Sequence, residues 1–278
     1  MTSALLQIAD LRVAYGGRGP LRRPTEVLHG VDLAVHAGQT HGLVGESGSG
    51  KTTIGRAVLG LAPVTGGSIR LDGEPLRAVT GRDRRRLARQ VQVVFQDPYT
   101  SLNPSLTIGD TLAEPLYGQG LTRRQARSRV AELVERTGLP ADALERYPRE
   151  FSGGQRQRVA IARAIAIRPR LIVCDEPVSA LDLSTQRTVL DLLAEVQAAT
   201  GVAYLFISHD LAVVRHLSEQ VSVLRSGEIV EQGPAADVIE RPQHPYTLRL
   251  LLSAPVADPQ QQRARRQLYE QHLAGTAR

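Results

Sequence analysis

The chain has 278 residues, 42% hydrophobic and 22% charged, a balance that fits a globular protein and excludes a disordered one. Its formal net charge is +6, but of 34 basic residues only Lys51 is lysine and the rest are arginine, so compositional bias explains the excess as well as nucleic acid or anionic lipid does. No apolar run approaches the roughly 18 residues that span a bilayer. The start MTSALLQIAD lacks the basic-then-apolar pattern of a secretory signal, and the single cysteine, Cys174, excludes an internal disulfide and a cysteine-ligated cluster.

Residues 5–15 (LLQIADLRVAY) alternate enough to predict a strand ending at Tyr15, and 16–26, rich in Gly, Pro and Arg, read as a surface loop. Strands are expected at 27–35 and 40–44, with Ala37-Gly38 as the turn between them. A glycine-rich loop, 45–50, then opens a helix over 51–61, whose apolar face is Ile54, Ala57, Val58 and Leu61 and which Pro63 stops. Further strands are expected at 68–71 and 91–95, and Arg84, Arg85 and Arg86 read as a solvated helix face. Over 107–150 the character changes. Helix is predicted around 107–116 and over 122–137, the latter with Ala126, Val130, Leu133 and Val134 on one face, and the stretch reads as an inserted helical subdomain.

After it come a helix at 155–167 ended by Pro169, a buried strand at 171–174, a helix at 184–199, a strand at 202–207 and a helix at 211–217. A hairpin follows at 221–224 and 228–231 around Ser226-Gly227, and from Asp258 the chain is a Gln- and Arg-rich tail. There is no internal repeat. Strand–helix alternation implies an α/β fold with a largely parallel sheet covered by helices.

Residues 45–52 read Gly45-Glu46-Ser47-Gly48-Ser49-Gly50-Lys51-Thr52, the pattern G-x-x-x-x-G-K-[ST] between a strand and a helix. Glycines let successive N–H groups turn toward one anion, and the helix N-terminus adds partial positive charge. Lys51 supplies a full charge for the β- and γ-phosphates of ATP, and the Thr52 hydroxyl is a hard oxygen ligand for Mg2+. Gly45, Ser47, Gly48, Ser49, Gly50, Lys51, Thr52 and Thr53 are the candidate nucleotide-binding residues of this loop. The apolar run 171–174 ends in Asp175-Glu176. In a parallel sheet ligands sit at the carboxyl ends of strands, which brings Asp175 near the metal and Glu176 to the γ-phosphate side, where it positions the attacking water.

A second glycine motif, Phe151-Ser152-Gly153-Gly154-Gln155, contains an S-x-x-Q capping box, and a capped helix needs no ligand. The two glycines weaken a helix start by up to about 1 kcal/mol each relative to alanine, and suit a close approach to a second anion.

With residues 45–52, this segment, the LIVCDE strand end, Ser179-Ala180-Leu181-Asp182 and Ser208-His209-Asp210 come in the order and spacing of ABC ATPases, which the chain resembles over about residues 5–255. The resemblance implies an ABC nucleotide-binding domain: a P-loop NTPase core at 1–96 and 156–235 with an N-terminal antiparallel β region, a helical subdomain at 97–155, and an importer-type extension at 236–278. It implies that Gln96 touches Mg2+ and the water and senses the membrane subunits, that His209 contacts the γ-phosphate, and that Tyr15 stacks on adenine. It further implies that Ser152, Gly153, Gly154 and Gln155 bind the γ-phosphate of ATP held by another subunit, with Asp182 linking the two sites. Catalytic roles thus fall on Glu176, His209, Gln96 and Lys51, and metal ligation on Thr52, Gln96 and Asp175.

The segments 94–104, 147–151, 204–210 and His244-Pro245-Tyr246-Thr247 are similar to those of the oligopeptide/dipeptide/nickel importers, in particular to the second ATPase of the pair such systems carry. This implies a heterodimer with a related ATPase, two membrane permeases, an external solute-binding protein and a peripheral place on the cytoplasmic face of the membrane, with residues 97–104 meeting a permease loop. Oligopeptide or dipeptide uptake is the expected function, with nickel or another solute as the alternative. A soluble ABC ATPase acting on nucleic acid would carry two cassettes or long coiled-coil insertions; neither is present, and no nucleic-acid partner is expected.

Overall fold

Two sheets organise the computed structural model, which describes residues 4–16, 24–76, 80–97 and 101–253. The strands are β1 (Leu6–Tyr15), β2 (Thr25–Val35), β3 (Thr40–Val44), β4 (Val64–Leu71), β5 (Glu74–Pro75), β6 (Val91–Val94), β7 (Leu171–Asp175), β8 (Ala203–Ser208), β9 (Gln220–Arg225) and β10 (Glu228–Pro234). One sheet, in the order β2-β1-β4-β5, is antiparallel throughout. The other, in the order β10-β9-β3-β8-β7-β6, is parallel except for β10, which returns antiparallel on β9 around the expected Ser226-Gly227 turn.

The central strands of the second sheet are covered on both faces, so their apolar runs are continuous. Leu43, Val173, Leu205 and Ile207 point to one side, where they meet the antiparallel sheet and Ile54, Ala57 and Val58 of α1 (Lys51–Val58). Val44, Ile172, Cys174, Tyr204 and Phe206 point to the other side, against the other helices except 81–90, whose Leu87 lies on the first side. Cys174 is fully buried, and burial pushes its thiol up from the usual range.

Between the strands run α2 (Gly81–Gln90), α3 (Ile108–Gly118), α4 (Arg123–Arg136) and α5 (Gly153–Ala166). Later come α6 (Leu183–Thr200), α7 (Leu211–Leu217), α8 (Ala235–Glu240) and α9 (Pro245–Ser253). In α4 the buried residues are Ala126, Val130, Leu133 and Val134, as the spacing predicts. In α2 only Leu87 is buried, and Arg84, Arg85 and Arg86 are solvated.

Some boundaries differ from the sequence expectation. The strand β2 begins at Thr25, because that residue pairs with Tyr15 across the antiparallel ladder. The helix α1 ends at Val58 and not near Leu61: Gly60 follows with φ 68°, and Leu61 is 65% exposed. The strand β4 starts four residues early, at Val64, opposite Val13. Residues 17–23 of the arginine-rich loop, 98–100 of the expected permease-facing segment and the tail from Asp258 lie outside the described residues. Among the described residues no helix is long and apolar enough to cross a membrane.

Candidate functional site

Four neighbouring parallel strands end at one edge of the sheet, and each hands over a candidate residue. Val44 stands opposite Ser208, Ile207 opposite Asp175, and Cys174 opposite Val94. Carried one or two residues further, this register brings Gly45, His209, Glu176 and Gln96 to the same edge, the carboxyl edge where open α/β sheets bind ligands.

The loop after β3 enters α1 through Gly50, which has φ 111° and gives the helix no side-chain cap. A Cβ there would lie 2.8 Å from Leu28 Cδ2, and the left-handed backbone would strain any other residue. The first-turn N–H groups of α1, including those of Lys51, Thr52 and Thr53, have no acceptor inside the helix, which makes its N-terminus an anion cradle. Ser49 Oγ is buried in the same loop without a hydrogen-bond partner. Lys51, 4% exposed, folds back and donates from Nζ to the carbonyl oxygens of Gly45 (2.7 Å) and Glu46 (2.8 Å). Burial lowers its ammonium pKa, while the carboxylates of Glu176, Asp175 and Glu46 oppose that shift. An orphaned hydroxyl, free helix N–H groups and a buried cation fit a polyphosphate.

Thr52 Oγ1 donates to Asp175 Oδ1 at 3.0 Å. Asp175 is raised above the usual carboxylate range, chiefly by burial, with the Thr52 bond acting the other way. These hard oxygens fit Mg2+, which takes one or two protein oxygens and completes its shell with phosphate and water. Glu176, at φ 50°, sits in the left-handed region, a conformation that costs a non-glycine residue of order 1 kcal/mol. Its backbone is held there: its N–H donates to Ile207 O (3.0 Å), and its carbonyl accepts from Ser179 N and Oγ. The carboxylate Oε2 lies 3.1 Å from His209 Nδ1. Glu46, Ser47, Glu176 and His209 line one open cleft. Gln96 is exposed beyond β6, and Tyr15, 37% exposed, closes β1 at the rim of the antiparallel sheet.

The second glycine motif is built differently. Ser152 Oγ accepts the Gln155 N–H (3.3 Å) and Gln155 Oε1 accepts the Ser152 N–H (3.0 Å), closing the capping box of α5. Gly154 has a packing reason of its own: a Cβ there would stand 2.2 Å from Thr185 Cγ2. Thr185 Oγ1 in turn donates to Asp182 Oδ2 (2.7 Å), and Asp182 caps α6 by accepting the N–H groups of Ser184 and Thr185. Bonds from Ser184 and Thr185 hold the Asp182 carboxyl well below its usual range. Among the described residues no hydrogen bond or ion pair joins 152–155 or Asp182 to the loop 45–53. The structure therefore brings Lys51, Thr52, Asp175, Glu176 and His209 into one bonded neighbourhood and leaves Ser152, Gly153, Gly154, Gln155 and Asp182 in another.

Sequence reasoning missed one wall of the cleft. Leu250 and Ser253 of α9 line it with Glu176 and His209. Nothing local in the sequence signals that these residues share a cleft with Glu46 and Ser47, some 200 positions earlier.

A phosphate-binding loop with a buried lysine, and an Asp-Glu pair at the carboxyl end of an adjacent strand, define a P-loop ATP-binding protein. The comparisons refine this class. Residues 28–179 match the family described as "ABC transporter", and 230–276 match "Oligopeptide/dipeptide transporter, C-terminal region". The chain belongs to the ABC transporter ATP-binding family and is an ATPase by that membership. It is 47% identical over 261 residues to the oligopeptide transport ATP-binding protein OppF of Lactococcus lactis, covering 92% of this chain and 82% of that protein. It is 49% identical over 274 residues to the glutathione import ATP-binding protein GsiA of Escherichia coli, covering 97% of this chain. It spans only 44% of GsiA's length. Among solved structures, cbiO1 of Clostridium perfringens, part of the ABC transporter complex cbiONQ, shares the fold with TM-score 0.76 over 89% of this chain and 95% of that one, at 24% identity. The ATP-binding cassette MJ0796, a dimer in a post-hydrolysis state bound to ADP and Pi, aligns with TM-score 0.73 over 83% of this chain and 98% of that one, at 27% identity.

Proposed function

We propose that the chain is the ATP-hydrolysing subunit of an ABC importer that takes up oligopeptides or dipeptides. It works with a second ATPase chain, two permeases and an external solute-binding protein, at the cytoplasmic face of the membrane. The observation that carries this is the C-terminal match over 230–276, on a chain whose described part ends in α8 and α9 and which is similar to OppF over most of that protein's length. The division into core (1–96 and 156–235), helical subdomain (97–155) and extension (236–278) belongs to this reading.

In this reading the loop 45–53 holds the phosphates of ATP, with Lys51 on the β- and γ-phosphates and Tyr15 against adenine. Thr52, Asp175 and Gln96 would hold Mg2+, which supplies charge neutralisation of the phosphates when bound. As a carboxylate, Glu176 is far too weak a base to strip a proton from bulk water outright. It orients the attacking water and accepts its proton late, while His209 steadies its carboxylate and reaches the γ-phosphate. Ser152–Gln155 and Asp182 serve ATP held by the partner ATPase. The dimer closes when both nucleotides are bound and opens when the γ-phosphates are gone.

The test is uptake. Proteoliposomes carrying the full transporter are expected to accumulate labelled peptide with ATP and to stop with the Glu176→Gln chain. Accumulation of a nickel chelate with no peptide uptake would move the chain to the nickel branch and reject the peptide assignment.

A further inference from the structure

We propose that Tyr246 is a positioning residue for the phosphate-binding loop, so that the C-terminal extension helps set this chain's grip on ATP. The inference rests on the nucleotide-site reading above and adds a residue to it. The Tyr246 hydroxyl accepts the backbone N–H of Glu46 at 3.0 Å, 200 residues away in the chain. Tyr246 is 2% exposed, and its ring carries the Arg225 guanidinium, at the end of β9, 5.3 Å above its centroid. Burial raises the phenol above its usual range, so it stays neutral.

The contact is built from the helix start upward. The Glu231 carboxylate in β10 accepts the N–H groups of Gln243 (2.7 Å) and His244 (3.1 Å). His244 Nδ1 accepts the N–H of Tyr246 at 3.1 Å, and Pro245 opens α9. On the helix, Leu250 and Ser253 stand four and seven residues beyond Tyr246, on the same face, and both line the cleft that holds Glu176 and His209. The side of α9 that carries Tyr246 therefore lies along the loop.

Glu46 is a consequential place to hold. Its carbonyl, with that of Gly45, accepts the Lys51 ammonium. A tether on the Glu46 N–H fixes the peptide that aims Lys51 and leaves the N–H groups at the start of α1 for phosphate. Without it, ATP has to order the loop as it binds, which weakens binding without changing the chemistry.

The experiment is equilibrium ATP binding to the full-length chain as wild type, Tyr246→Phe and Lys51→Ala, with backbone hydrogen exchange at 45–47 and nucleotide-free melting alongside. Tyr246→Phe keeps the ring under Arg225 and deletes only the hydroxyl that accepts the Glu46 N–H. It is expected to weaken ATP binding about 5-fold, the worth of one neutral hydrogen bond, and to speed exchange at Glu46 with melting nearly unchanged. In the assembled transporter it is expected to raise KM for ATP with kcat within about 2-fold. Wild-type affinity in Tyr246→Phe, or a loss of melting stability with normal affinity, overturns the inference. If Lys51→Ala has lost binding in that case, the nucleotide site stands and only Tyr246 falls; if wild type and Lys51→Ala bind alike, the site reading falls and this inference with it. Should Tyr246→Phe not fold, exchange in the wild type decides: slow exchange at Glu46 supports the tether and fast exchange refutes it.

Discussion

The two glycine motifs of this chain are alike in sequence and differ once folded. Around 45–52 the structure gathers groups that its own bonds leave incomplete: a helix start without a side-chain cap, a buried hydroxyl without a partner, and a buried ammonium held by two carbonyls. Around 152–155 the groups answer one another, since the capping box is closed, Gly154 is filled by Thr185, and Thr185 is tied to Asp182. The loop at 45–52 declares a ligand by what it lacks. At 152–155 the side chains are satisfied within the chain and the N–H groups of Gly153 and Gly154 are what the helix start leaves over, so a role in binding ATP rests on a nucleotide presented from outside, by another subunit.

The largest effects are expected on the first motif. Lys51→Ala and Glu176→Gln should each lower ATP turnover at least about 100-fold, the scale of losing one group that stabilises a transition state. The two should part on binding: Glu176→Gln keeps ATP, Lys51→Ala loses it, and a binding titration separates them. Near-normal turnover in either removes that residue from the site.

On the second motif, Gly154→Ala drives a Cβ into Thr185 and should destabilise the fold by about 1–3 kcal/mol, the usual cost of overpacking. Adding Thr185→Ser removes the offending methyl, keeps the hydroxyl for Asp182, and should restore most of that stability in urea unfolding. Without such rescue, the glycine is there for something other than Thr185.

A comparable effect tests the sheet that carries the first motif. His41, buried in β3, shares a 2.8 Å hydrogen bond with Ser222, and burial lowers its pKa to about 4, helped by His36 and opposed by the Ala34 backbone. Against an unfolded value of about 6.5, the unfolded chain takes a proton before the folded one does, so stability falls as pH drops through this window. From pH 7 to pH 5 the loss from this one group should be about 2 kcal/mol, read as a shift of the urea midpoint that His41→Gln abolishes. The smallest expected effect is Ser152→Ala, which opens the capping box and should lower stability by about 1 kcal/mol.

Much of the first motif was legible because its chemistry is local. The spacing G-x-x-x-x-G-K-T and the acidic end of an apolar run fix a loop and a strand end, and parallel-sheet topology brings them to one edge. The S-x-x-Q box was equally plain, and it formed. What could not be read depends on partners distant in sequence. Gly154 invited an anion, yet Thr185 gives it a packing reason as well. The helix α2 buries a single leucine among arginines, so its solvated arginine face was legible and its ends were not. The start of β2 at Thr25 is set by its partner Tyr15, and Tyr246 meets Glu46 only after the whole sheet has formed.

The most direct measurement is ATP turnover per chain for a strictly monomeric preparation, compared with the same chain assembled with its partner ATPase and permeases. If the 152–155 segment completes a site that another subunit begins, the monomer binds ATP and turns it over far more slowly than the assembly. Equal turnover per chain in the two states would contradict that division of labour.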